Sequence, residues 1–302
     1  MDISILFPTY NGESTISYTL DSFVTMNTQG LDWELLICIN NSTDNSLEII
    51  EQYKDKLPLK IFNQPIQGKS ACMNLLLEHA LGNLLIMTDD DVIAPSNWVT
   101  NYIEIAERKS SYDIFGGKIV AHCLEHPPFW FEAFRYKHIA FALTPDKFTN
   151  QEVGPGSIFG PSMAIRRQTL QTGVKFNNEI GPNGGNYEMG CETDFLTKLS
   201  DNNLKSWISD QAKLKHIIRP FQFKLTWLEK RAYRYGLSMY YKDLSNNFDG
   251  ARSVLGIPIW RINLFAHCWL KTHIGSNKNP EYANYIWEVG FFKGYLRKRL
   301  NG

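Results

Sequence analysis

The apolar run "LLIM", residues 84–87, gives way after Thr88 to three consecutive carboxylates, Asp89, Asp90 and Asp91. Adjacent negative charges repel, so the triplet requires a counter-charge, a turn geometry or a metal. A hard divalent cation, Mg2+ or Mn2+, takes oxygen ligands, often one or two carboxylates with substrate phosphates. In extended chain, successive side chains point to opposite faces. Asp89 and Asp91 can then share one site while Asp90 points elsewhere. A cation there neutralises the repulsion and stabilises a phosphate leaving group. Further on, Glu192 and Asp194 follow a glycine-rich stretch, and His216 lies between Lys215 and Ile217. The plain readings are that acids favour the first turn of any helix, and that such a histidine is more often a surface or half-buried residue than a ligand.

The elements that must position these residues alternate. "ISILFP", "WELLICIN", "LKIFNQ" and "NLLIMTD" read as strands. "STISYTLDSFVTM", "STDNSLEIIEQY" and "GKSACMNLLLEHAL" between them read as helices, the second capped by Ser42 or Thr43 and the third opened by Gly68. This alternation predicts βαβ units and a mostly parallel sheet whose strands, covered on both faces, are nearly continuous apolar runs. Ligands bind beyond the carboxyl ends of such strands. That edge receives "PTYNG" (Pro8, Thr9, Tyr10, Asn11, Gly12), Asp44 and the aspartate triplet, although Asp, Asn, Gly and Pro are also ordinary turn residues.

"YDIFGGKIVAH" predicts a further strand, turned by Gly116 and Gly117. The aromatic segment from Cys123 to Val153 reads as a packed crossover, with a substrate-side flap or a membrane-facing patch as alternatives. "GSIFGPSMAIRR" gives a strand and turn. Four glycines between residues 181 and 190 exclude a stable helix, so a long mobile loop is expected there, with a helix starting near Cys191. Trp207 to Ser209 reads as a short strand.

The 302 residues suffice for one large domain or two small ones. Hydrophobic residues make up 43%, charged residues 21%, and formal net charge is zero. That balance gives no nucleic-acid footprint. Five widely spaced cysteines without a CxxC pair suggest neither a zinc site nor a disulfide framework, and imply a reducing compartment. The first residues lack the basic and apolar regions of a signal peptide, and no stretch reads as a membrane span.

In order and spacing, "FPTYNG", "NNSTDNS", "GKSACMN" and "MTDDDVIAPSNWV" resemble the nucleotide-sugar half of the family 2 inverting glycosyltransferases. The resemblance implies the α/β GT-A fold, a single Rossmann-like mostly parallel sheet flanked by helices, here with a helical C-terminal extension. The expected division is a catalytic domain over residues 1–220, with its nucleotide-sugar half in 1–100 and its acceptor half in 101–220, and the extension in 221–302. It also implies roles. Pro8, Thr9, Tyr10, Asn11 and Asp44 would hold the nucleoside. Gly68, Lys69, Asp89, Asp90 and Arg219 would face the sugar nucleotide, with Arg219 offering charge-assisted contacts to the diphosphate. Asp91, Asp89 and His216 would hold Mn2+ or Mg2+. Met73 stands where the family commonly has arginine. Matching "CETDF" to the family segment ending Thr-Asp-Phe puts Cys191 at its glutamate and Glu192 at its catalytic aspartate. Glu192 is thus the expected base, and a one-residue shift would promote Asp194.

The implied reaction moves a sugar from a nucleotide-diphosphate sugar, UDP-sugar being favoured over GDP- or dTDP-sugar, to a hydroxyl of a glycan or lipid-linked glycan. Cell-surface polysaccharide or glycolipid synthesis is the expected setting. The expected location is cytoplasmic, or peripheral on the inner face of the plasma membrane. At the C-terminus two readings compete. One is a helical pair packed on the domain. The other is an interfacial hairpin with its aromatics at the lipid boundary and Arg297, Lys298 and Arg299 near anionic headgroups. Two other functions stay open. A catalytically inactive sugar-nucleotide binder is one. A sugar nucleotidyltransferase is the other, opposed by the absence of a basic, glycine-rich loop after the first strand.

Overall fold

The computed structural model describes residues 1–185, 187–245, 252–254 and 256–301, without the side chains of 240–245 and 301. Asn186 of the glycine-rich stretch and Leu255 of the C-terminal apolar run lie outside the described residues. In chain order the elements are β1 (Ile3–Thr9), α1 (Ile16–Val24), β2 (Trp33–Ile39), α2 (Ser46–Glu51), β3 (Leu59–Asn63), α3 (Lys69–His79), β4 (Leu84–Met87), β5 (Val92–Ile93), α4 (Trp98–Arg108) and β6 (Ile114–Cys123). They continue with α5 (Lys137–Ala140), β7 (Gln151–Glu152), β8 (Met163–Arg166), α6 (Cys191–Ser200), β9 (Ser206–Ile218), α7 (Leu225–Ser245), β10 (Ser253–Val254), β11 (Ile257–Pro258), α8 (Ile259–Ile274) and α9 (Tyr282–Asn301).

The chain forms two compact units. The first takes Met1–His122, Ala142–Gly184 and Cys191–Ile217, and the second takes Cys123–Phe141, Gly185–Gly190 and Ile218–Gly302.

The first unit is built on one mixed sheet of order β3-β2-β1-β4-β8-β6-β9-β5, with β7 also paired to β9. β3, β2, β1 and β4 are mutually parallel, as the alternating sequence predicts. β8 runs antiparallel to β4 and β6, and β5 and β7 run antiparallel to β9. Ile5, Leu6 and Phe7 of β1 and Leu35, Leu36, Ile37 and Cys38 of β2 are fully buried, because helices cover both faces. On one face Cys72, Met73, Leu76 and Leu77 of α3 pack with Phe195, Leu196 and Leu199 of α6 over Leu36 and Cys38. Each such side chain contributes about 1.5–3 kcal/mol on burial, so Leu76→Ala would cost about 2–5 kcal/mol.

Three local expectations change. α2 begins at Ser46, flanked by Asn45, not at a Ser42 or Thr43 cap. Those two residues are drawn instead to Asn11, whose amide donates to Ser42 Oγ at 3.1 Å and whose Oδ1 accepts from the Thr43 amide at 2.9 Å. Gly116 and Gly117 do not turn β6, which runs through both. Ser162 Oγ and Ala212 O lie where a Gly117 side chain would stand, so glycine there serves close packing. β9 extends to Ile218, well beyond Ser209, because the polar–apolar alternation from Gln211 to His216 has period two.

The second unit is helical. The aromatic crossover is packed: Trp130, Phe131, Phe134 and Phe141 are at most 5% exposed. Phe141 stacks on Trp227 of α7 at 5.6 Å, and Phe134 meets Trp287 of α9 edge-on at 5.6 Å. α7 and α9 approach backbone to backbone. A side chain at Gly236 would strike Phe291 O, one at Gly290 would strike Glu229 O, and one at Gly294 would strike Tyr233 O. Trp287, Val289, Phe291, Phe292 and Tyr295 of α9 are buried within this unit. Among the described residues, no helix is long and apolar enough to cross a membrane.

Candidate active site

Because β1, β2 and β4 are parallel, the segments after them emerge at one edge. Asn11 and Asn41, just past β1 and β2, adopt left-handed backbone with φ of 52° and 56°, a conformation asparagine tolerates better than most residues. The two loops are cross-linked. Asp44 Oδ2 accepts from the Glu13 amide at 3.0 Å, and its Oδ1 accepts from Ser46 Oγ at 2.5 Å. Burial raises the Asp44 pKa, but the Ser46 hydroxyl and the Glu13 and Ser46 amides outweigh it and hold the carboxyl below its ordinary range. Thr9 is buried, whereas the Tyr10 ring is 50% exposed at the rim.

The aspartate triplet divides its work. Thr9 Oγ1 donates to Asp90 Oδ2 at 2.5 Å. A side chain at Gly12 would collide with that same pair. Asp91 is 7% exposed, and its Oδ1 lies 3.1 Å from His216 Nε2. The register of β5 on β9 sets this meeting: Val92 pairs with His216, and the Ile217 amide donates to Asp91 O at 2.8 Å. One ligand atom from each of Asp89, Asp91 and His216 lies within 4.8 Å of the others. Two carboxylates and an imidazole form a donor set that fits Mn2+ well and Mg2+ through its oxygens.

Lys69 joins this cluster to Glu192. It is the first residue of α3. The turn before it uses Gly68 at φ 142°, whose amide donates to Asn40 Oδ1 at 2.7 Å. Lys69 Nζ lies 2.5 Å from Asp89 Oδ1 and 2.7 Å from Glu192 Oε1. Burial disfavours the ammonium, but Asp89 and then Glu192 override it and hold its pKa well above the usual value. Burial likewise pushes Glu192 up, and Lys69 outweighs it, leaving the carboxyl at about 2. Cys191 Sγ donates to Glu192 Oε2 at 3.1 Å. Burial, then the Glu192 charge, pushes that thiol well above its ordinary pKa. Glu192 rests on Gly160, where a Cβ would stand 2.5 Å from Oε1.

The start of the glycine-rich segment is tethered to α3. Ser70 Oγ donates to Ile180 O at 2.8 Å, and the Lys69 amide donates to Pro182 O at 2.9 Å. Asp194 pairs with Lys198 one turn along α6 at 2.7 Å, not with the Lys69 cluster. Arg219 belongs to the second unit, where its amide donates to Gln222 Oε1 at 2.7 Å and its guanidinium lies 5.6 Å from the Phe221 ring centre. A cleft of about 580 Å³ lined by Asn83, Arg166, Arg167 and Gln168 lies at the opposite, amino end of β4. Its arginines are committed to the backbone carbonyls of Ala80, Ala106 and Tyr112.

Sequence reading passed over Asn40 and Gly160. Asn40 Nδ2 also donates to Gln64 O at 3.1 Å and to Ile66 O at 2.8 Å, fastening the turn that delivers Lys69. Its signal was a buried-strand run ending on asparagine. Gly160 gave no local signal, since its need arises from Glu192, distant in sequence.

A family model described as "Glycosyl transferase family 2" matches residues 4–171. The Escherichia coli UDP-Glc:alpha-D-GlcNAc-diphosphoundecaprenol beta-1,3-glucosyltransferase WfgD is 30% identical over 103 residues, which are 34% of this chain and 38% of that protein. The match thus spans well under half of that relative's length. The Rhizobium meliloti succinoglycan biosynthesis protein ExoM is 23% identical over 73% of this chain and 69% of its own. Among solved structures, the Staphylococcus aureus TarS 1-349 complex with UDP superposes with a TM-score of 0.55 at 18% identity, covering 100% of this chain and 92% of the other. The Pyrobaculum calidifontis mannosyltransferase PcManGT, in complex with GDP-Man and Mn2+, gives 0.63 at 14% identity, covering 98% and 86%. At such identities the likeness speaks for the fold.

Proposed function

The chain belongs to glycosyl transferase family 2, and on that premise we propose that it is an inverting glycosyltransferase. It would move a sugar from a nucleotide-diphosphate sugar to a hydroxyl of a glycan or lipid-linked glycan, in cell-surface polysaccharide or glycolipid synthesis at the cytoplasmic side of the membrane. The observation that carries this reading is the Lys69 ammonium shared between Glu192 and the Asp89–Asp91–His216 cluster at the carboxyl edge of the parallel strands.

In this reading Pro8 to Asn11 and Asp44 hold the nucleoside, and Gly68 and Lys69 meet the diphosphate. Asp90, tied to Thr9, braces the first loop against the triplet. Asp89, Asp91 and His216 hold Mn2+ or Mg2+, which supplies positive charge to the leaving diphosphate when bound. Glu192 takes the proton of the acceptor hydroxyl as its oxygen attacks from the face opposite the leaving group, and no covalent enzyme intermediate forms. A carboxylate with a pKa of about 2 is a weak base. An incoming diphosphate competes for the Lys69 ammonium, and loosening the Lys69–Glu192 pair raises the basicity of Glu192 when the donor is in place. UDP is the favoured nucleotide, because WfgD is named for UDP-Glc and TarS was solved with UDP. If Lys69 stays clamped on Glu192, the second reading, a sugar-nucleotide binder without turnover, follows.

Calorimetry with UDP, GDP and dTDP, each with Mn2+ and with EDTA, tests the donor site on the wild type and Asp91→Asn. Cation-dependent binding of one nucleotide that the variant loses supports the proposal. Folded protein that binds none of the three overturns it.

A further inference from the structure

α8 has two unlike faces. Its inner face packs on α9: Phe265 stacks on Phe292 at 4.4 Å, Cys268 is buried, and Arg261 lies 4.9 Å from the Phe291 ring centre and 4.7 Å from that of Tyr295. Its outer face carries Leu270 at 48% exposure and Ile274 at 71%, flanked by Trp260 at 48% and Trp269 at 46%. At a hundred degrees per residue the two tryptophans fall on opposite borders of the leucine–isoleucine stripe. From Gly250 to Pro280 the chain holds no acid, and Arg252, Arg261, Lys271 and Lys278 lie within that stretch. Arg261 lies on the inner face, and Lys293 and Lys298 pair with Glu229 and Glu188, so the charge near the outer face comes from Arg252, Lys271 and Lys278.

We propose that the outer face of α8 lies on the surface of an anionic lipid bilayer, with Leu270 and Ile274 in the headgroup–acyl boundary and Trp260 and Trp269 at its margins. Tryptophan prefers that boundary. An apolar stripe of modest area with cationic surroundings binds by combining burial with attraction to anionic lipid. A second copy fits the same face less well, because an isologous two-fold contact would set its basic surroundings against each other. The sequence reading considers both C-terminal helices as an interfacial hairpin; the aromatics of α9 are buried, and the exposed apolar face belongs to α8. The surface is independent of the proposed transfer site.

Co-sedimentation of the full chain with vesicles tests the assignment. Equimolar phosphatidylglycerol and phosphatidylcholine vesicles are compared with phosphatidylcholine alone, for the wild type and for Leu270→Glu/Ile274→Glu. Wild-type protein should pellet with the anionic vesicles, and the double variant should lose about tenfold or more in partition. Circular dichroism establishes that the variant is folded, and Trp269→Ser supplies a milder second variant. No pelleting of the wild type, equal pelleting with both vesicle types, or equal partition of wild type and folded variants overturns the proposal. So does a solution dimer that the variants dissociate without any vesicle binding. UDP affinity, measured on the same proteins, reports the donor site separately and should not change.

Discussion

Lys69 Nζ stands 2.7 Å from Glu192 Oε1, and their side chains are 17% and 19% exposed. The pair joins the start of α3 to the first turn of α6. Charges this enclosed interact strongly, and removing one partner leaves the other uncompensated.

Lys69→Met should therefore destabilise the protein at neutral pH by about 3–5 kcal/mol. Glu192 is depressed from 4.5 to about 2 in the folded state. Its contribution is full above the unfolded value and is lost as pH falls through about 2. The gap between wild type and variant should narrow through that window. Urea denaturation at neutral pH and near pH 3 measures it, and a gap that stays constant would contradict the ion-pair account.

Glu192→Gln and Asp194→Asn should separate cleanly. The first should cut turnover by about 10²–10⁴-fold, the range for a lost general base, and leave nucleotide affinity no weaker than wild type, since the diphosphate no longer competes with a carboxylate for Lys69. The second removes the half-buried i,i+4 pair with Lys198, about 0.3–0.5 kcal/mol. Sugar transfer under saturating donor reads both. A larger loss in the Asp194 variant would move the base to that residue.

His216→Ala should weaken Mn2+-dependent nucleotide binding by about 10–100-fold while binding in EDTA is unchanged. Titration calorimetry reads the difference. Equal affinity with and without Mn2+ in the wild type would remove the cation from the account altogether.

Asn40→Ala should cost about 1–3 kcal/mol, because the Gly68 amide and the carbonyls of Gln64 and Ile66 lose their partner. Asn40→Asp should not rescue it, since the carboxylate cannot donate to the two carbonyls. Thermal unfolding of both variants checks this.

Gly160→Ala tests the shelf beneath Glu192. A methyl group there meets the carboxylate at 2.5 Å, so the glutamate must move. Turnover should fall while stability changes by about 1–3 kcal/mol, the usual cost of overpacking. An unchanged rate would mean that Glu192 has room to spare.

The first hundred residues are legible because their apolar runs are local and periodic. The separation of Asp90 from Asp89 and Asp91 is expected from extended chain; β4 instead ends at Met87, the chain bends at Asp90 and Asp91, and Asp90 turns to Thr9. The Lys69–Glu192 pair was not legible: each residue lies at a helix start, and nothing local to either names the other. The extent of β9 was missed because Lys213 and Lys215 interrupt its hydrophobicity, although they alternate with Ala212, Leu214 and His216. The α2 cap was misplaced because Ser42 and Thr43 bind the neighbouring loop, a tertiary choice that capping preference does not contain.

The glycine contacts between α7 and α9 give the C-terminal helix a single axial phase. Moving α9 by one residue along its axis would bring Phe291 or Tyr295 to a place that admits only a hydrogen atom. The seam behaves like a key cut for one depth. A one-residue insertion within α9 ahead of Gly290 should therefore be far more damaging than several residues added to the 275–281 connection, where the helix keeps its phase and only the tether grows.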